Sequence, residues 1–82
     1  MSPSICALSS LAPGQRAVVC GVEAPEEIRI RLLELGFVPG TPVELVRFAP
    51  LGGPVEIHLR GSHLTLRRQE AEAVRVRPEA TA

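Results

Sequence analysis

The sequence predicts a mainly β fold, and three observations carry that prediction. Turn signals at Pro13-Gly14, Pro39-Gly40, Pro50-Leu51-Gly52-Gly53-Pro54 and Gly61-Ser62 cut the chain into short pieces. The apolar runs between them are rich in Val and too short for helices. Residues 54–60 alternate cleanly, with Val55, Ile57 and Leu59 on one side and Glu56, His58 and Arg60 on the other, which is the period of a strand with one buried face.

The first strand is expected over residues 16–22, with Val18, Cys20 and Val22 sharing the inner face. A helix follows it. Pro25 suits the first helical position, and Glu26 and Glu27 place negative charge at the positive end of the helix dipole. Ile28, Leu32 and Leu35 form an apolar stripe, with Arg29, Arg31 and Glu34 off it. Ile30 and Leu33 lie beside the stripe and either widen the buried face or stand exposed. Gly36 is expected to end the helix as a left-handed cap, with Phe37 making the accompanying apolar contact. In residues 43–48, Val43 and Leu45 alternate with Glu44, but Val46, Arg47 and Phe48 break the pattern. Either a bulge resets the register there, or Phe48 faces outward at the mouth of the glycine–proline loop. After the alternating strand 54–60, Gly61-Ser62 is expected as a two-residue hairpin loop into His63–Arg67, whose Leu64 and Leu66 face the same core. Residues 68–72 fit one helical turn, and Val74 and Val76 mark a last strand. The sum is a small SH3-like β-barrel of about five strands, with one short α-helix after the first strand and a helical turn before the last. A barrel removes the exposed sheet edges that so short a chain has little else to cover.

Composition excludes several functions. Apolar residues make up 45% of the 82 residues and charged residues 22%, an ordinary globular balance for one domain. Nine Arg against nine Glu give zero net charge, without the basic footprint of a phosphate-backbone binder. An aromatic content of 2% leaves little to stack on bases, so nucleic acid is not an expected partner. No apolar run approaches the roughly 18 residues that insert as a membrane helix. Met-Ser-Pro-Ser-Ile-Cys lacks the basic n-region of a signal peptide, so the expected location is the cytosol. Cys6 and Cys20 are too far apart for a C-x-x-C motif and are expected as free thiols, with Cys20 in the core and Cys6 in an accessible terminal segment. A core this small leaves self-association, a homodimer included, open.

Catalysis finds little support, because the chain has no Asp, Lys, Tyr or Trp and no phosphate-binding glycine motif. It is not expected to be an enzyme. With Gly61-Ser62 as the loop, Arg60 pairs with His63 and His58 with Thr65. His58 and His63 then form a diagonal pair on the outer face, about 7–8 Å apart at the backbone, with Glu56 two residues further along. Two imidazoles and a carboxylate suit weak binding of a divalent ion such as zinc or ferrous iron, although solvated strand histidines give the same pattern, and no cofactor is required. Phe48 and Leu51 lie at or within the glycine–proline loop, where they either plug one barrel end or form an apolar partner site. Arg60 and Arg67 on the adjoining hairpin are candidates for its polar rim.

The motifs Leu8-x-x-Leu11-x-x-Gly14, Leu32-x-x-Leu35-Gly36-x-x-Pro39-Gly40, Ala49-Pro50-Leu51-Gly52-Gly53-Pro54, Arg60-Gly61 and Leu66-Arg67-x-x-Glu70-Ala71, followed by Val74 and Val76, stand in that order. Together they resemble the ferrous iron transport protein A (FeoA) family over about Ile5 to Arg77. That gives a single domain for 1–82 with its core at about 5–77. The resemblance implies an SH3-like barrel in the bacterial cytosol that acts, without catalytic motif, with the membrane ferrous-iron transporter FeoB and its GTP-binding domain. Phe37, where Leu or Ile is usual, and Ile30, where a basic residue is frequent, depart from the family pattern. The alternatives are a stand-alone module of the metalloregulator type and a structural or oligomerisation barrel with no transport role.

Overall fold

The computed structural model describes residues 4–79. It contains six strands, β1 (Cys6–Ala7), β2 (Arg16–Val22), β3 (Pro42–Phe48), β4 (Val55–Leu59), β5 (Ser62–Leu66) and β6 (Val74–Pro78). Two helices, α1 (Glu26–Leu35) and α2 (Arg68–Ala73), and two 3-10 turns, Leu8–Ser10 and Pro50–Gly52, complete it. All strands belong to one antiparallel sheet in the order β1-β6-β2-β3-β4-β5. The sixth strand is the two-residue β1, which pairs with Val76 and Arg75 of β6. The helix expected after the first strand therefore follows the second. Among the described residues the backbone pairing leaves β1 and β5 as the two ends of the sheet.

The inner face of β2 is the opposite of the one expected. Ala17 and Val19 are buried, whereas Val18 and Cys20 are only half-buried on the other side. Pairing with β6 steps from Val19↔Val76 to Gly21↔Arg75, so Cys20 is an extra residue in a bulge. The bulge shifts the phase and returns Val22 to the core side. In a run of Ala-Val-Val-Cys no polar residue marks the outer face, so the local pattern is blind to this choice. Cys6, expected in an accessible terminal segment, is instead half-buried in β1.

Helix α1 stops where expected and starts one residue later than expected, at Glu26, with Pro25 as its N-cap. Gly36 is left-handed at φ 117°. Its N–H donates to the Leu33 carbonyl at 3.0 Å, and the Phe37 N–H donates to Leu32 at 3.1 Å, the two bonds of a Schellman cap. Phe37 is fully buried beneath it. The apolar stripe is not buried as expected. Leu32 is enclosed, but Ile28, Ile30 and Leu35 are 38%, 44% and 47% exposed. Of the stripe only Leu32 joins the buried core.

In β3 the bulge reading holds. Leu45 pairs with Ile57 and Arg47 with Glu56, which leaves Val46 as the extra residue and turns Phe48 onto the core side opposite Val55. The β4–β5 loop differs from expectation. Leu59 pairs with Ser62 and His58 with His63, so the loop residues are Arg60 and Gly61, not Gly61 and Ser62. Both are left-handed, with φ of 53° and 78°, as a type I′ turn requires. The two registers differ by two residues, so each keeps Leu64 and Leu66 on the inner face. The register proposed from sequence would set Val55 opposite Arg68, the first residue of α2. The observed one pairs Val55 with Leu66 and frees the chain to turn into the helix.

Helix α2 is tied down by Glu70. Its Oε1 accepts the Arg67 N–H at 2.8 Å, and its other oxygen pairs with Arg31 of α1. Glu70→Ala removes both links and is expected to cost about 1–2 kcal/mol, a melting temperature lower by roughly 4–8 °C per kcal/mol. Glu70→Gln keeps the cap acceptor and is expected to recover most of that loss in the same melt, because Arg31 is largely solvent-exposed and its ion pair contributes little.

Candidate functional site

Two surfaces carry the residues singled out in the sequence. The first is the loop Ala49–Pro54 between β3 and β4. It is closed by the Ala49 N–H on the Pro54 carbonyl at 2.9 Å and the Gly53 N–H on the Pro50 carbonyl at 3.2 Å. A Cβ on Gly53 would stand 2.9 Å from the Ala49 Cβ, so the loop closes this tightly only with glycine there. Leu51 sits at the tip, fully exposed, in the left-handed region at φ 59° and ψ 38°. A non-glycine residue held there costs about 1–2 kcal/mol.

Phe48 and Leu51 do not form one patch. Phe48 packs against the core, and the Arg68 guanidinium carbon lies 5.1 Å from its ring centroid, a cation–π contact. Leu51 alone of the pair is free. Arg67 follows β5 at the end level with this loop, since Leu66 pairs with Val55. Arg60 does not rim the loop. It stands at the other end of the five-residue β4, about 16 Å away at the usual strand rise.

The second surface is the outer face of the sheet. The cross-strand pairs Arg16↔Glu44, Glu44↔His58 and His58↔His63 line up one residue from each of β2, β3, β4 and β5. His58 and His63 are directly opposed rather than diagonal, with ring centroids 5.1 Å apart and planes at 37°. Glu56 does not join them, because it is held by Arg47 across the β3–β4 pair. The carboxylate beside the imidazoles is Glu44, whose Oε1 is 3.9 Å from His58 Nδ1. The sequence reading missed it. Without the Val46 bulge, antiparallel pairing from Phe48↔Val55 would set Leu45 against His58, and only the bulge brings Glu44 into place. Among the described residues no three His, Cys, Asp or Glu side chains are grouped as metal ligands. A cleft of about 280 Å³ beside this row is lined by Arg16, Glu44, His58, Arg60 and Glu79. Between α1 and α2 lies a second groove, of about 430 Å³, bounded by Pro25, Ile28, Arg31, Glu70 and Ala73.

The geometry offers an exposed loop closed by backbone hydrogen bonds and a mixed-charge sheet face. The model of the FeoA domain matches residues 6–78. The chain belongs to the FeoA family. The family consists of non-enzymatic proteins of ferrous iron transport. A Fe(2+) transport protein A/Fe(2+) transporter FeoB fusion protein of Porphyromonas gingivalis is 39% identical over 69 residues, 84% of this chain and 8% of the fusion. The chain thus spans less than a tenth of that relative. The solution structure of FeoA from Chlorobium tepidum is 46% identical, covers 90% of this chain and 70% of its own, and superposes with a TM-score of 0.83. Stenotrophomonas maltophilia FeoA, described as a procaryotic SH3 domain protein and crystallised with zinc, is 38% identical with a TM-score of 0.75, over 85% of this chain and 87% of its own. The FeoA-family fold seen here is therefore SH3-like. No helix among the described residues is long and apolar enough to cross a membrane.

Proposed function

We propose that this FeoA-family protein is a cytosolic accessory of bacterial ferrous iron uptake that docks on a FeoB-type GTP-binding transporter through the Ala49–Pro54 loop, with Leu51 as the apolar anchor. The observation that carries the reading is the fusion relative, in which a domain of this family and the transporter are one polypeptide. Covalent linkage keeps two units at high effective concentration, an advantage when they work in contact. The loop supports the choice of surface. Leu51 is fully exposed on a backbone that is closed by hydrogen bonds and strained in the left-handed region, and a preordered apolar side chain loses little entropy on binding. Arg67 stands at the same end and supplies polar contact.

Leu51→Gly gives a clean test, since Phe48 is part of the core and stays untouched. Glycine relieves the left-handed strain, so the melting temperature is expected to hold or rise by a few degrees. Uptake of radioactive ferrous iron, in cells that depend on this protein and its transporter, is expected to fall at least tenfold. Full uptake in Leu51→Gly cells, with uptake lost on deletion of the whole protein, would move the docking surface to the exposed Ile28, Ile30 and Leu35 of α1. Full uptake after deletion would overturn the transport role itself.

A further inference from the structure

We infer that the outer face of β4 and β5 holds a site for a borderline divalent transition-metal ion such as zinc, with His58 and His63 as ligands and Glu44 as their positioning carboxylate. The inference does not depend on the docking surface proposed above, which lies at the other end of the β4–β5 hairpin. Its main support is geometric. Zinc binds imidazole nitrogen at about 2.0–2.1 Å, and the ring centroid lies about 1.1 Å further out, so two imidazoles on one tetrahedral ion have centroids about 5.2 Å apart. The observed separation is 5.1 Å. The type I′ turn at Arg60-Gly61 produces this spacing, because it sets the two histidines directly opposite each other on adjacent strands.

Glu44 adds the second support. It lies opposite His58 on β3 with its Oε1 nearest Nδ1, at 3.9 Å. That distance is too long for a hydrogen bond, so the positioning role requires the carboxylate to close on Nδ1 when the ion binds. A carboxylate on the Nδ1 side fixes the ring and leaves Nε2 for the metal, the arrangement by which ligand histidines are usually oriented. Both rings are solvent-accessible at the sheet surface, so an ion can enter and water can fill its remaining positions. Two imidazole nitrogens select zinc, nickel and copper(II) over magnesium and calcium, and rank ferrous iron lower. The site therefore suits a competing or modulating metal rather than the transported ferrous ion.

Isothermal titration of the full chain with zinc chloride, followed by long-range ¹⁵N NMR of the imidazoles, tests this. One zinc per chain is expected, bound through Nε2 of both histidines. His58→Ala or His63→Ala is expected to weaken binding by more than tenfold with unchanged melting temperature, as both side chains lie outside the core. Glu44→Gln is expected to weaken it about tenfold and to replace the single His58 tautomer by a mixture, a change that loss of packing alone would not cause. A Cys6→Ser, Cys20→Ser variant is expected to bind as the parent does. Zinc affinity that survives in the His58→Ala, His63→Ala double variant, affinity lost in the cysteine variant, or no binding by the parent at millimolar zinc would each overturn the assignment.

Discussion

Leu59→Ala is expected to lower the stability of the domain by about 2–5 kcal/mol, the range for removing a large side chain from a packed core. Leu59 is 3% exposed at the end of β4, and its Cδ2 lies 3.1 Å from where a Cβ on Gly36 would be. It is thus the side chain on which the C-terminus of α1 closes. A domain of this size has about 6 kcal/mol in all, at the low end of the general range of about 5–15, so the variant is expected to keep about 1–4 kcal/mol and to unfold at a much lower urea concentration. Urea denaturation followed by circular dichroism reads the effect. A midpoint equal to the parent's would mean that α1 and β4 do not share the packing described.

Gly36→Ala is expected to cost about 1–3 kcal/mol, and the cost has two separable parts. The left-handed backbone at φ 117° penalises any Cβ by about 1–2 kcal/mol. The added methyl also presses on Leu59, at a separation tighter than most real Cβ contacts. In the Leu59→Ala background only the backbone part remains. A double-mutant cycle is therefore expected to show coupling of about 0.5–1 kcal/mol between the two positions. Strict additivity would mean that the strain lies wholly in the backbone and that Leu59 yields freely.

The two surfaces proposed for function lie at opposite ends of the β4–β5 hairpin, and one turn decides that separation. The Arg60-Gly61 loop carries Arg60 away from Leu51 and sets His58 against His63. The loop Ala49–Pro54 keeps Leu51 in solvent while β3 turns Phe48 onto the core. A variant at either surface is therefore expected to leave the other intact, which lets transporter docking and metal binding be measured separately.

Sequence alone determined the features that local chemistry dictates. Pro25, the paired Glu26 and Glu27, and Gly36 delimit α1 because dipole charge and left-handed capping act within one turn. The alternation of Val55, Ile57 and Leu59 marks the buried face of β4 because polar neighbours stand between them. The motifs from Leu8 to Val76 pointed to the FeoA family, whereas the sequence left open whether Phe48 and Leu51 plug the barrel or stand in solvent, and the structure does one with each. Tertiary structure decided what local pattern leaves degenerate. The inner face of β2 depends on a bulge at Cys20 in an apolar run with no polar marker. Two hairpin registers, related by two residues, bury the same leucines, and the start of α2 selects between them. The stripe Ile28, Leu32 and Leu35 is periodic, yet only Leu32 is buried, because periodicity marks a face and how much of it is covered depends on the neighbouring elements. Glu44, not Glu56, stands beside His58, since the Val46 bulge sets which β3 residue faces each position of β4. Register between strands is a non-local property, and no spacing within either strand encodes it.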